Sequence, residues 1–188
     1  MITVDATELV RAINTLYKIP NGVDRAARSA VNKTARGVRT DVKNEVRDRY
    51  EIKAGDVLKS MSVQFASQGG LSAIIKSKGR PIALSKFKVK PKTVQRRGSK
   101  NRKISVSVKK GSERMLNRAF VAQFDSGHKG VVERVSKKRF PVKELFGPSI
   151  PQMASSKDVS KNVNKLAEER LKKNFNSEVN RILKGYGK

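Results

Sequence analysis

His128 is the only histidine among the 188 residues, and the acids closest to it in the chain are Asp125 and Glu133. A histidine beside carboxylates can serve as a general base or help to hold a metal ion. Here the histidine lies within Asp125-Ser126-Gly127-His128-Lys129-Gly130, a stretch that reads as a turn. A metal-dependent nuclease needs acids clustered around its ion with a lysine close by. Asp125 and Glu133 stand on opposite sides of the expected turn and read as ordinary surface groups. They remain the test positions for a nuclease reading. Cysteine is absent, which excludes disulfides and thiolate metal sites. No glycine has the spacing of a nucleotide-phosphate loop. The expectation is no catalytic residue, no metal and no cofactor.

Positive charge is the stronger chemical signal. Lys and Arg number 43 against 16 Asp and Glu, a formal net charge of +27. Between Lys76 and Lys143 there are 22 Lys and Arg against three acids, Glu113, Asp125 and Glu133. The stretch Lys88–Lys103 is too poor in apolar residues to bury itself and is expected to be a mobile loop or arm. Its cations Lys88, Lys90, Lys92, Arg96, Arg97, Lys100, Arg102 and Lys103 are candidate contacts for DNA backbone or for an acidic protein partner. Phe87, Phe120, Phe124 and Phe140 are mostly placed as core, so base stacking is not expected and any nucleic-acid contact would be sequence-independent. An architectural nucleic-acid-binding protein is therefore one reading, and docking on acidic neighbours is another. Arg and Lys are mixed without fixed spacing, which tilts the choice towards DNA.

Helices flank this basic block. Asp5 or Thr7 can cap a first helix carrying Leu9, Ala12, Ile13, Leu16 and Tyr17 on one face. A second runs from Val23 to Tyr50 with a narrow Ala/Val stripe, interrupted by Gly37, and its Arg and Lys side chains are taken as a solvated face. A short helix is expected within Ile52–Lys59. Hairpins are expected at Met61–Ala66 with Leu71–Lys76, and at Ala119–Phe124 with Val131–Val135, the second burying Phe120, Ala122 and Phe124. Ile104, Val106 and Val108 alternate as a strand. The last helix carries Val163, Leu166, Leu171, Phe175 and Ile182, a stripe longer than so small a core requires and hence a candidate subunit interface. The class is α+β, with a central, mainly antiparallel sheet between long N-terminal helices and a long C-terminal helix. One domain over 1–188 is expected: helices to 58, a β-rich basic core over 59–150, and the final helix over 155–184. No apolar run is long enough to span a membrane. The first residues lack the pattern of an export signal, so none is expected.

The order of several segments is distinctive. Arg49-Tyr50-Glu51-Ile52-Lys53-Ala54 follows the long helix. Pro81-Ile82-Ala83-Leu84-Ser85-Lys86-Phe87, Arg118-Ala119-Phe120-Val121-Ala122 and Gly130-Val131-Val132-Glu133-Arg134 come next. Phe140-Pro141-Val142-Lys143-Glu144-Leu145-Phe146-Gly147-Pro148-Ser149-Ile150-Pro151 closes the series. In this order the chain resembles the minor tail protein Z family of tailed phages and prophages, from about Val23 to Lys173, and Arg139 to Ile150 is its most specific mark. The basic loop carries none of the family's marks.

The resemblance implies a structural virion protein that completes the tail at its head-proximal end, with no catalytic residues. The partners it implies are further copies in a ring, expected as a hexamer, then the tail tube and its terminator, the head-tail connector and the packaged DNA end. It implies the virion tail or neck as location, with assembly in the host cytoplasm.

Overall fold

The computed structural model describes residues 21–68, 70–94 and 103–185. The helix expected between Asp5 and Tyr17 lies outside them. Among the described residues are two long helices, α1 (Gly22–Arg49) and α4 (Lys157–Leu183), and two short ones, α2 (Ala54–Lys59) and α3 (Ile150–Ala154). The strands are β1 (Met61–Gln64), β2 (Ile74–Ser77), β3 (Ile82–Ala83), β4 (Lys88–Lys90), β5 (Ile104–Ser107), β6 (Glu113–Leu116), β7 (Ala119–Gln123), β8 (Lys129–Arg134), β9 (Val142–Glu144) and β10 (Phe146–Gly147). A 3-10 turn, Leu84–Lys86, separates β3 from β4. The class is α+β, as expected, with antiparallel registers between β3 and β10, along β4–β5–β6 and along β7–β8–β9. One central sheet was expected, but the strands form four small sheets, the fourth pairing β1 with β2. Gly, Pro and polar turns interrupt the apolar runs every few residues, and apart from β7 and β8 the strands are four residues or shorter, too short to extend one common ladder.

The described chain divides into two compact units. The first takes residues 21–41, 61–76 and 161–185. Ala26 and Ala30 of α1 are fully buried, and such small side chains let helix backbones approach closely. Ala26 joins Val179 and Ile182 of α4 in one apolar cluster, with Val23, Phe175 and Leu183 packed against it.

Polar groups continue this contact. Asp41 accepts two hydrogen bonds from Arg170, from Nε at 3.0 Å and Nη2 at 2.8 Å. The Asn174 amide donates to Thr34 Oγ1 at 2.9 Å. Gly37 has a reason to be glycine, since a Cβ there would lie 2.4 Å from Arg170 Cδ. The face of α1 expected to be solvated is partly engaged: Lys33 pairs with Glu178, and the Arg36 guanidinium lies 4.9 Å from the Phe65 ring centre. Asn32 brackets Ala66 by donating to its carbonyl at 3.1 Å and accepting from its N–H at 2.8 Å.

The second unit takes residues 42–60 and 77–160. Its apolar core is shared between sheets, with Ile104 and Val106 on β5, Ala119 and Val121 on β7, Val131 and Val132 on β8, and helices, with Val46 on α1, Val57 on α2 and Ile150 and Met153 on α3. The expected buried face of β7 is corrected. Ala119 and Val121 are buried, whereas Phe120 and Ala122 are half-buried and so is Phe124 beyond the strand. Apolar residues occupy both parities from Ala119 to Ala122, so alternation cannot choose a face, and the larger ring stays at the surface under the Arg134 guanidinium, 5.2 Å away.

The stretch from Lys88 also departs from a pure loop. Val89 is buried and sits opposite Val106, which orders Lys88–Lys90 as β4. One anchored valine suffices because both neighbouring lysines point outward.

Candidate functional site: a lysine-lined cleft

The segment Phe146-Gly147-Pro148-Ser149 organises one side of the second unit. Phe146 and Gly147 pair with Ala83 and Ile82, and the Leu84 N–H donates to the Leu145 carbonyl at 3.0 Å. The Leu145 N–H in turn donates to the Val131 carbonyl at 2.8 Å, which ties this ladder to β8. A Cβ on Gly147 would lie 2.8 Å from Phe87 Cε2, so glycine is what lets the phenylalanine ring close against β10. Ser149 caps α3: its hydroxyl accepts from the Gln152 N–H, and the Gln152 side chain accepts from the Ser149 N–H at 2.9 Å.

Phe87, held in this way, borders an open cleft of about 430 Å³. Phe87, Val89, Val121 and Val131 supply apolar walls from the 3-10 turn, β4, β7 and β8. Lys53, Lys86, Lys92 and Lys129 supply four ammonium groups, and Asp56 and Ser85 supply polar acceptors. Lys53 is the extended residue before α2, while Asp56 lies in that helix's first turn, where a carboxylate is favoured by the unpaired N–H groups. Lys86 Nζ stands 4.0 Å from Asp56 Oδ1, at the limit of ion pairing. Among the described residues, Lys53, Lys92 and Lys129 have no carboxylate within ion-pair distance.

The turn around His128 pairs its ring with Glu144 and not with Asp125 or Glu133. His128 Nε2 lies 2.9 Å from Glu144 Oε1, and its ring stacks on Phe124 with centres 5.7 Å apart. Glu133 sits opposite Ala119, four positions along β8 from Lys129, or about 13 Å at strand rise, so it is far from Asp125 in the turn. Among the described residues no group of three or more His, Cys, Asp or Glu could hold a metal ion. No helix among them is long and apolar enough to cross a membrane.

The family model for prophage minor tail protein Z (GPZ) matches residues 8–188, nearly the whole chain. The chain belongs to the prophage minor tail protein Z family. No curated protein and no solved structure matches it. Membership in a minor tail family makes the chain a component of a phage tail, with other virion components as its neighbours.

For this tail protein the cleft reorders the candidate contacts. Of the eight cations singled out in the basic stretch, Lys92 lines the cleft, Lys88 and Lys90 flank the buried Val89 with exposed side chains, and Lys103 is exposed before β5. Lys88 lies 3.7 Å from Glu51. Arg96, Arg97, Lys100 and Arg102 lie outside the described residues. Lys53, Lys86 and Lys129 were not singled out, because they come from three separated segments and no local pattern joins them. Lys86 and Lys129 sit next to core residues of the 3-10 turn and β8, which was the one signal available.

In the C-terminal stripe, Ile182 belongs to the cluster that contains Ala26, Phe175 packs against it, Val163 is buried and Leu166 is half-buried. Leu171 remains 41% exposed.

Proposed function

We propose that this minor tail protein is a ring subunit that completes the head-proximal end of the tail and joins tail tube and terminator to the head-tail connector. Its role in that ring is structural rather than catalytic. The carrying observation is the match to a minor tail family over residues 8–188 in a chain of net charge +27. Such charge repels itself in an isolated chain and calls for polyanionic or acidic neighbours. Copies meet through the surface around Leu171, an exposed apolar side chain on a helix otherwise rich in charge. The exposed Lys88, Lys90 and Lys103 face the packaged DNA end, where neutralising phosphate charge releases counterions without reading sequence.

Replacing Lys90, Arg96, Arg97, Lys100, Arg102 and Lys103 with Gln, six sites in all and none of them in the cleft, tests this reading in assembling particles. Heads and tails should still join, while the end of the packaged DNA is lost or misplaced. Failure of heads and tails to join would move these cations to protein docking, and joined, fully infectious particles would defeat both roles.

A further inference from the structure

We propose that the lysine-lined cleft binds an acidic peptide segment carrying one aromatic or branched apolar side chain, supplied by another virion protein. Only the source of that segment rests on the tail assignment; the chemistry rests on the cleft itself. Four lysines against Asp56 leave a formal excess of three positive charges around an open cavity of about 430 Å³. Carboxylates on the incoming segment lower that repulsion and set its orientation.

Three features favour a peptide over nucleic acid. First, the cleft floor is the buried apolar core, with Phe87, Val89, Val121 and Val131 at most 5% exposed, so an apolar side chain entering it leaves water against apolar groups, which a phosphodiester backbone does not. Second, Asp56 and Ser85 can accept hydrogen bonds from peptide N–H groups. Phosphates have no such donors, and the Asp56 carboxylate repels them. Third, every cation at the cleft is Lys. Its compact charge suits separate carboxylates along an extended chain, whereas arginine forks dominate bidentate phosphate recognition. The cavity lies in the size range of sites that enclose a few side chains, far too narrow for a duplex.

The full-length chain can be titrated, by fluorescence anisotropy, into dye-labelled Gly-Asp-Glu-Phe-Asp-Glu-Gly, into the same peptide with Phe replaced by Gly, and into a duplex of about 20 base pairs. The phenylalanine peptide should bind at least about fivefold more tightly than its glycine counterpart, roughly 1 kcal/mol. Changing Lys53→Gln together with Lys129→Gln should weaken the phenylalanine peptide at least about fivefold and the duplex by less than about twofold. Circular dichroism melts check that the variant folds; if it does not, Lys53→Gln alone should cost at least about twofold.

Smaller losses overturn the proposal, as does no binding of the phenylalanine peptide by the unaltered chain up to about 1 mM. A duplex that loses more affinity than the peptide makes nucleic acid the occupant. Since the titration uses the isolated chain, its failure leaves the particle-joining test standing, and failed joining leaves the titration standing.

Discussion

The two compact units use charge in opposite ways. In the unit of residues 21–41, 61–76 and 161–185, carboxylates lie inside: Asp41 is 8% exposed and Glu178 not at all, and both are met by cations. Lys33 contacts one oxygen of Glu178, and Arg181 donates to the other from Nε at 3.0 Å. In the unit of residues 42–60 and 77–160, four lysines surround a cleft with one carboxylate between them. A buried carboxylate met by cations specifies which helix faces meet, because any slip strands a charge out of water. Open lysines specify nothing internally. Their free energy changes only when an anion arrives. The same excess of Lys and Arg thus meets buried carboxylates in one unit and stands open around a cleft in the other.

Glu178→Ala should break that contrast most severely. It removes a buried acceptor set, and unfolding in urea should show a loss of roughly 2–4 kcal/mol. Burial by itself would raise the Glu178 carboxyl, but hydrogen bonds from Lys33, Ser29 and Arg181, with the Lys33 charge, outweigh it and hold the group below 4.5. A folded value lower than the unfolded one means that the stabilisation is complete above pH 4.5 and is lost as pH falls through the folded value. Glu178→Gln should therefore flatten the acid limb of the stability curve. An unchanged limb would show that the carboxylate's charge is not what the site recognises.

Gly37→Ala gives a smaller effect whose sign is the test. On an ordinary helix surface this change gains up to about 1 kcal/mol. Here the new methyl meets the Arg170 side chain, which two hydrogen bonds hold against Asp41. In the unaltered chain the substitution should lower stability, and with Arg170→Ala already present it should raise it by about 0.5–1 kcal/mol. The same sign in both backgrounds would mean that Arg170 does not occupy the space above Gly37.

The smallest effect belongs to the cleft. Lys53→Gln, Lys92→Gln and Lys129→Gln together should change stability by under about 0.5 kcal/mol, since these cations hold nothing in place. Thermal melts that fall by more than a few degrees would show that the lysines are structural, and the contrast between the units would fail.

Much of this was legible in the residue order. The three- and four-residue spacing of apolar side chains marks α1 and α4 to within a residue or two, and short alternating runs mark the hairpins of β1–β2 and β7–β8. The succession of segments from Arg49 to Pro151 carries the family, which the match over residues 8–188 shows. These are local properties, because backbone periodicity and turn chemistry act over a few residues.

Other features depend on what folding brings together. Which parity of β7 is buried was undecidable where both parities are apolar, and the neighbouring strands choose Val121 over Phe120. Gly37 reads as a helix interruption until Arg170 lies over it, and Gly147 reads as a turn until Phe87 closes against it. The cleft is the clearest case. Lys86 and Lys129 meet because the ladder through Leu145 ties the 3-10 turn to β8, and Lys53 and Lys92 reach the same cleft from other positions in the chain. The residue order alone sets how much positive charge the chain carries and marks the long helices and the alternating strands. Where that charge is concentrated was decided by the tertiary structure, because an electrostatic field sums over side chains near in space, however far apart they lie along the chain.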